Sequence, residues 1–450
     1  MQNYKEFFKG KKVTVVGLGL LGKRLGDIAF LSECGAEVLV TDLKTAKELA
    51  PSIKKLEKYK NIKYSLGGHI LEDFENKDFI LKGQGVPLDS IYIAHARKQN
   101  IPIEMDESLF TKLAPKVKVI GITGTRGKST TTMLIYEVLS AAAKAKAGQG
   151  KVYLGGNIKG TAALPLLKEV KDGDTVVFEL SSWQLQGFGE DKISPHISVF
   201  TNFMPDHMNY YKNNLKQYFG DKSFIYKFQT KEDLLVLGPS MKGLVKGAKS
   251  KMVTANLKNI PKSWKIKLIG EHNLENIACA IEVARALKIK EEIIQKTVEN
   301  FKAISGRLEL VKEIKGVKIY NDTNSCTPEA TSVALQALGT PTTKSKNTVL
   351  ILGGSDKNLD FKHLLKDIKK YAKAVVLIPG NGTNRILKDL KNTKVPLYED
   401  KDLKDVVKTA LGLASRGDTI LFSPAFTSFG MFNNEYDRGD KFMKIVRGLK

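Results

Sequence analysis

The sequence predicts an α/β fold of three domains, and three observations predict it. Short, nearly continuous apolar runs rich in Val and Ile alternate with helical patterns along all 450 residues. Each run is followed by Gly, Asn, Asp or Ser, as buried parallel strands in α/β units are. The runs fall into three groups in series, and two of the groups open on a strand that enters a glycine-rich loop.

In the first group the strands are "KVTVVGL" near Val13, "EVLVTD" near Val38 and "DFILKG" near Phe79. Gly17, Gly19 and Gly22 make a GxGxxG pattern directly after the first of these, and Asp42 closes the second, 25 residues after Gly17. Such glycines let the backbone approach a diphosphate at a helix N-terminus, while the acid meets a ribose hydroxyl. Taken alone the pattern favours NAD. A UDP-linked ligand satisfies the same physics, and tight strand–helix packing leaves the same trace.

The second group comprises "VKVIGIT" near Val119, "TVVFEL" near Val177 and "ISVFTN" near Val199. The first run leads into Gly124-Thr125-Arg126-Gly127-Lys128-Ser129-Thr130 and then into a helix whose apolar residues recur at i, i+4, as in Leu134 and Val138. Backbone N–H groups of such a loop cradle phosphate oxygens, Lys128 reaches the β/γ-phosphates, and the Ser129 or Thr130 hydroxyl faces Mg²⁺. The spacing departs from the usual P-loop, since five residues rather than four separate Gly121 from Gly127. Glu179 ends the second strand, where a carboxylate points into the ligand crevice of a parallel sheet and is a candidate Mg²⁺ ligand. His207 follows the third strand and is a candidate ligand for a second divalent ion, or a structural histidine. Lys222 lies fifteen residues beyond His207. It reads as a plain surface lysine or as a carbamate formed with CO₂, which would present carboxylate-like oxygens to Mg²⁺.

The third group is "TVLILGG" near Leu350, "AVVLIPG" near Val376 and "TILFSPA" near Leu421. Neither low-complexity tract nor Gly/Ser linker separates the groups, so the boundaries are placed near 106–115 and 303–306.

Net charge is +24, mostly from lysine, which raises nucleic-acid binding as a reading. The lysines are scattered rather than blocked, and no aromatic–basic interleaving or zinc-finger spacing accompanies them, which favours anionic small-molecule substrates. The three cysteines, Cys34, Cys279 and Cys326, lack CxxC spacing and are odd in number, which speaks against a disulfide framework or zinc site. "MQNYKEFFKG" lacks the apolar run of a secretory signal, and no stretch approaches the roughly 18 apolar residues of a membrane span. The expectation is a chain of the reducing cytoplasm.

"GITGTRGKST", "FELSSWQL", "DHMNYY" with Lys222, "GEHNLENIACA", "SGRLELV", "YNDTNSCTPEAT", "LGGSDKNLDF" and "SPAFTSFGMF" occur in this order. Together they resemble the Mur ligases of peptidoglycan synthesis, over nearly the whole chain. The resemblance implies a Rossmann-like N-terminal domain (1–107) for the UDP of the substrate. A central P-loop-type ATPase domain with a parallel sheet (108–305) and a Rossmann-like C-terminal domain (306–450) for the incoming amino acid would follow. It implies an ATP-dependent amide-bond ligase that adds D-glutamate to UDP-N-acetylmuramoyl-L-alanine through an acyl phosphate, a monomer working without nucleic acid or membrane. The alternative is another Mur or folylpolyglutamate-type ligase with a different amino acid, and a rival of another class is a nucleotide-dependent RNA-binding switch. By resemblance the catalytic residues are Lys128, Glu179, His207 and Lys222. ATP would meet Gly124, Thr125, Gly127, Lys128, Ser129 and Thr130, with Asn276, Arg307 and Asp322 toward base and ribose. Two Mg²⁺ ions would use Ser129, Glu179, His207 and carbamylated Lys222. UDP contacts fall at Leu20, Leu21, Asp42, Gly85 and Asn157, and D-glutamate contacts at Lys357, Ser428 and Phe429. The chain departs from the family pattern at Arg126, where many relatives read the Asn of GTNGK. It departs again at Asn324 and Cys326, in place of Lys and Thr of NDSKAT, and at Gly430, where an acid is expected.

Overall fold

The computed structural model describes residues 3–19, 22–146, 150–158, 160–339, 346–428 and 430–449. Each of the nine apolar runs forms a strand. The first sheet contains β1 (Lys12–Val16), β2 (Glu37–Asp42), β3 (Ile62–Leu66), β4 (Phe79–Lys82) and β5 (Ile103–Glu104), in the order β3-β2-β1-β4-β5, all parallel. The second contains β6 (Lys118–Thr123), β7 (Val152–Gly156), β8 (Thr175–Glu179), β9 (Ile197–Phe200), β10 (Leu234–Leu237) and β11 (Lys251–Thr254). Its order is β11-β10-β9-β6-β8-β7, again all parallel. The third contains β12 (Glu309–Ile314), β13 (Val317–Asn321), β14 (Thr348–Gly353), β15 (Ala372–Ile378), β16 (Leu397–Glu399) and β17 (Thr419–Phe422), in the order β12-β13-β17-β14-β15-β16.

The central strands are covered on both faces, which is why their sequences are continuous rather than alternating. Val119, Ile120 and Ile122 of β6 are all fully buried, and each such side chain contributes about 1.5–3 kcal/mol of transfer free energy. Among the strands not anticipated, β3 is an edge strand half-exposed beyond Ile62 and β5 has two residues, whereas β10 and β13 lie inside their sheets. β12 pairs antiparallel with β13 and turns at Lys315 (φ 49°) and Gly316 (φ 81°), the two positive φ angles of a tight hairpin. No helix among the described residues is long and apolar enough to cross a membrane.

The first two sheets belong to one compact unit, Met1–Trp264 with Glu275–Glu299; the third belongs to another, Lys265–Leu274 with Asn300–Lys450. Within the first unit the two α/β layers meet over buried charge. Lys23 and Arg24, opening the helix Lys23–Glu33, face Asp27 on that helix and Asp106 and Glu107 on the helix Asp106–Leu113. Asp27, Asp106 and Glu107 are fully buried. Asp27 accepts Leu164 N–H at 3.1 Å, and Glu107 accepts from Lys23 Nζ and Gln184 Nε2. Three carboxylates thus meet two cations. Burial, then the Asp106 charge, pushes Glu107 up to about 7, and the same two causes raise Asp27.

Between the ordinary glutamate value and about 7 the folded chain holds a proton at Glu107 that the unfolded chain has lost. Stability from this group is full below that window and falls as pH rises through it, by about 1.4 kcal/mol per pH unit. Glu107→Gln keeps an acceptor for Gln184 and removes the titration. The variant should match the parent at pH 5 and exceed it at pH 8 by an amount on the order of 2 kcal/mol, read by denaturant unfolding at both pH values. Parallel pH profiles for the two proteins would place the extra proton elsewhere.

Candidate active site

Strand order makes the central crevice. β6 lies between β9 and β8, so the loops leaving their C-terminal ends, 124–128, 201–207 and 180–182, open side by side where parallel sheets bind ligands. Close approach at the first loop requires glycine. A Cβ on Gly124 (φ 147°) would lie 1.9 Å from Thr201 Oγ1, and one on Gly127 (φ 82°) 2.1 Å from Asn276 Oδ1. The loop is held from the side: Thr125 N–H donates to Asn202 O (2.9 Å), Arg126 N–H to Asn202 Oδ1 (2.8 Å), and Thr201 Oγ1 to Arg126 O (2.6 Å).

The helix Lys128–Ala145 starts at this loop without a side-chain cap, as the helix Lys23–Glu33 does after the first glycine loop. The helices after Thr45 and Ser181 instead begin with reciprocal capping boxes. Uncapped N–H groups and the positive dipole end favour an anion there. Lys128 Nζ donates to Gly124 O and Thr125 O, each at 3.0 Å. Ser129 and buried Thr130 occupy the same first turn, and Thr131 Oγ1 donates to Asn276 Oδ1 at 3.3 Å.

Glu179, the last residue of β8, is buried. Its Oε1 accepts Asn157 Nδ2 at 3.2 Å, while Oε2 is buried with no hydrogen-bond partner among the described residues. Lys222 is no surface residue. It is 1 % exposed, donates to Gly124 O at 2.9 Å, and lies 4.9 Å from the centre of the Tyr218 ring. Burial, then the Lys128 charge, holds its amine well below the ordinary lysine range. Two lysine amines therefore converge on the Gly124 carbonyl. Half-buried His207 (φ 55°) packs its ring 4.5 Å from that of Trp183, and Asp206 beside it accepts Arg126 Nη1 at 2.7 Å. The crevice thus gathers Lys128, Ser129, Glu179, His207 and Lys222, with Asn276 behind the loop. Among the described residues no three His, Cys, Asp or Glu side chains converge as a preformed cation site.

In the first sheet the Asp42 carboxylate does more than await a ribose: it accepts Leu18 N–H (2.8 Å), Gly19 N–H (3.3 Å) and Lys44 N–H (2.9 Å), shaping the glycine loop. Gly85 lies in the turn after β4, where a Cβ would meet nothing within 4 Å. Asn157, expected at UDP, donates to Glu179 from both its side chain and its backbone N–H. Leu20, Leu21 and Phe429 lie outside the described residues.

In the second unit the loops after β13, β14 and β17 are stitched together. Ser355 and Thr427 exchange backbone hydrogen bonds at 3.0 and 3.2 Å, and Ala425 N–H donates to Ser325 O at 2.9 Å. Lys357 is exposed on one loop and Ser428 buried on another. Arg307 is half-buried; Asp322 accepts Leu308 N–H (3.1 Å) and Ser423 Oγ (2.8 Å), and burial pushes it up to about 6. Gly430 has φ 100°, a backbone state in which the expected acid would be strained. Sequence reasoning missed Arg438. Its buried guanidinium donates to Thr323 Oγ1 (3.1 Å), Thr323 O (2.7 Å), Phe426 O (3.1 Å) and Cys326 Sγ (3.2 Å), clasping two loops. It also missed Lys82, which ends an apolar strand and is fully buried. A basic residue at a strand end or on an amphipathic helix carries no local mark of burial.

Three family models match the chain. Residues 11–104 match the model of the Mur ligase MurD-like N-terminal domain, 122–265 that of the Mur ligase middle domain, and 306–426 that of the Mur ligase glutamate ligase domain. The chain is 34% identical to the UDP-N-acetylmuramoylalanine–D-glutamate ligase of Borreliella burgdorferi, covering 98% of each chain. It is 33% identical to the ligase of the same name from Clostridium perfringens, covering 99% of this chain and 98% of that one. Among solved structures it is similar in fold to the UDP-N-acetylmuramate-alanine ligase MurC of Thermotoga maritima (TM-score 0.61, 20% identity, 98% and 100% covered). It is also similar to the ADP complex of MurF from the same organism (TM-score 0.57, 17% identity, 91% and 93% covered).

Proposed function

The chain belongs to the Mur ligase family, and from that premise we propose that it joins D-glutamate to UDP-N-acetylmuramoyl-L-alanine at the expense of ATP. The observation that carries the reaction class is the convergence of the Lys128 and Lys222 amines on Gly124 O, at 3.0 and 2.9 Å, beside an uncapped helix N-terminus. That is a seat for phosphate, and hydride transfer has no use for it. The amino acid follows from the names of the full-length relatives.

In this reading the first glycine loop, with Asp42 and Gly85, anchors the UDP handle, and the second holds ATP. A carboxylate oxygen of the substrate attacks the γ-phosphorus, the bond to the ADP oxygen breaks, and an acyl phosphate forms. Lys128 and the first-turn N–H groups hold the charge of the transferring phosphoryl group in place, an electrostatic role. The amine of D-glutamate then attacks the acyl carbon, and the tetrahedral intermediate expels phosphate as the amide forms with loss of a proton. Glu179, with a bare buried oxygen, His207, Ser129 and a carbamate on Lys222 would hold two Mg²⁺ ions, which neutralise phosphate charge when bound. The depressed basicity of Lys222 supplies the neutral amine that reaction with CO₂ requires. By resemblance, Lys357 and Ser428 would meet the amino acid, and Arg307 and Asp322 the nucleotide. Three free cysteines fit a cytoplasmic enzyme, and we take it to act as a monomer.

The test is an amino-acid panel with UDP-N-acetylmuramoyl-L-alanine and ATP, read by phosphate release. D-Glutamate should give the highest kcat/KM, because its two carboxylates need cationic or hydrogen-bonding partners once out of water. Lys357→Ala should act mainly by raising its KM. Faster ligation of L-alanine, L-lysine or diaminopimelate would move the chain to another branch of the family.

A further inference from the structure

A buried polar bridge runs from the loop after β4 to the helix Leu215–Ser223. Lys82 is fully buried at the end of β4. Its three N–H groups have three acceptors: Val86 O at 2.9 Å, Gly83 O at 3.2 Å and Gln186 Oε1 at 3.2 Å. Two of these fix the turn that carries Gly85, and the third belongs to the helix Ser182–Glu190 of the second sheet's layer. Gln186 is buried too, and its Nε2 donates to Asp221 Oδ2 at 2.8 Å and Tyr210 OH at 3.2 Å. Tyr211 OH donates to the same Asp221 oxygen at 3.0 Å. Asp221 directly precedes Lys222, whose amine sits on the second glycine loop.

We propose that Lys82 is a positioning residue for ligation, holding the UDP-receiving turn in shape and tying it through Gln186 and Asp221 to the helix that carries Lys222. The inference rests on the functional reading above. An apolar side chain of equal length would pack this space without the cost of desolvating an ammonium. What the cation adds is direction: three donors at one point, two aimed at carbonyls of a glycine-containing turn and one at a glutamine amide whose other end reaches the catalytic helix. Because Gln186 is shared, the turn and the helix cannot shift independently without breaking one of these bonds.

The experiment uses Lys82→Met and Gln186→Met in the full chain. Titration calorimetry with UDP alone, at a temperature where thermal unfolding shows the variant folded, should show about tenfold weaker binding for Lys82→Met. In the ligation assay the KM for the UDP substrate should rise about tenfold, with the KM values for ATP and D-glutamate within twofold. Gln186→Met, which leaves Lys82 both carbonyls, should lower kcat more than it weakens UDP. The double variant should be no worse in kcat/KM than the worse single one. Unchanged UDP binding by Lys82→Met, additive effects in the double variant, or an equal rise of all three KM values overturns the proposal. A parent chain that fails to bind UDP overturns both the handle assignment and the proposal. A parent that binds UDP but does not ligate D-glutamate sinks the substrate reading alone, and the calorimetric comparison still decides Lys82. If Lys82→Met does not fold, unchanged kcat in Gln186→Met overturns the link.

Discussion

Lys128→Ala is expected to lower turnover by at least ~10²-fold, the scale for deleting one preorganised charge-stabilising group. The lysine amine is oriented by two loop carbonyls of the chain itself at 3.0 Å. No reorganisation is therefore needed when phosphate charge develops beside it. Alanine takes away the cation that these two carbonyls hold in place. The residue stands at the first turn of a long helix outside the apolar core, so the fold should survive, with an unchanged far-UV spectrum and melting point. Phosphate release in the presence of UDP-N-acetylmuramoyl-L-alanine and D-glutamate is the measurement. Lys128→Arg should not restore activity, because a planar guanidinium does not place one donor centre on both carbonyls. Turnover near the parent level in a folded Lys128→Ala protein would remove ATP from this loop.

The second large effect is expected at Lys222. Lys222→Ala should also lose at least ~10²-fold, since the group would contribute oxygen ligands in a site where phosphate charge must be neutralised. A bare ammonium is a poor fit to its surroundings: the side chain is 1 % exposed and shares the Gly124 carbonyl with a second amine. Reaction with CO₂ would convert that repulsion into attraction, because a carbamate would be an anion facing Lys128. Short carboxylic acids should therefore restore part of the activity of Lys222→Ala, filling the vacated volume with the missing oxygens, and should do nothing for Lys128→Ala. Carbon-13 bicarbonate should give a carbamate signal in the parent that the variant lacks. Full activity of Lys222→Ala would show that no bridge is needed there.

What the sequence determined by itself lies within a few residues of chain. The apolar runs became strands because backbone pairing and burial on two faces select Val and Ile locally. The two glycine loops were legible because positive φ and close backbone approach leave few alternatives to glycine, as at Gly124 and Gly127. The carboxylate at the end of β8 was legible because it directly closes an apolar strand run. Only the tertiary structure decided which strand lies beside which. The order β9-β6-β8 brings Glu179, the Lys128 loop and the 201–207 segment to one crevice, and nothing in any single segment encodes that adjacency. It also decided burial. Lys222, Lys82 and Arg438 stand in ordinary polar or strand-end contexts in the sequence, yet each is at most 1 % exposed. Solvent exclusion is a property of what packs over a residue from distant parts of the chain, and it is this exclusion that lowers the basicity of the Lys222 amine and leaves Lys82 only protein acceptors.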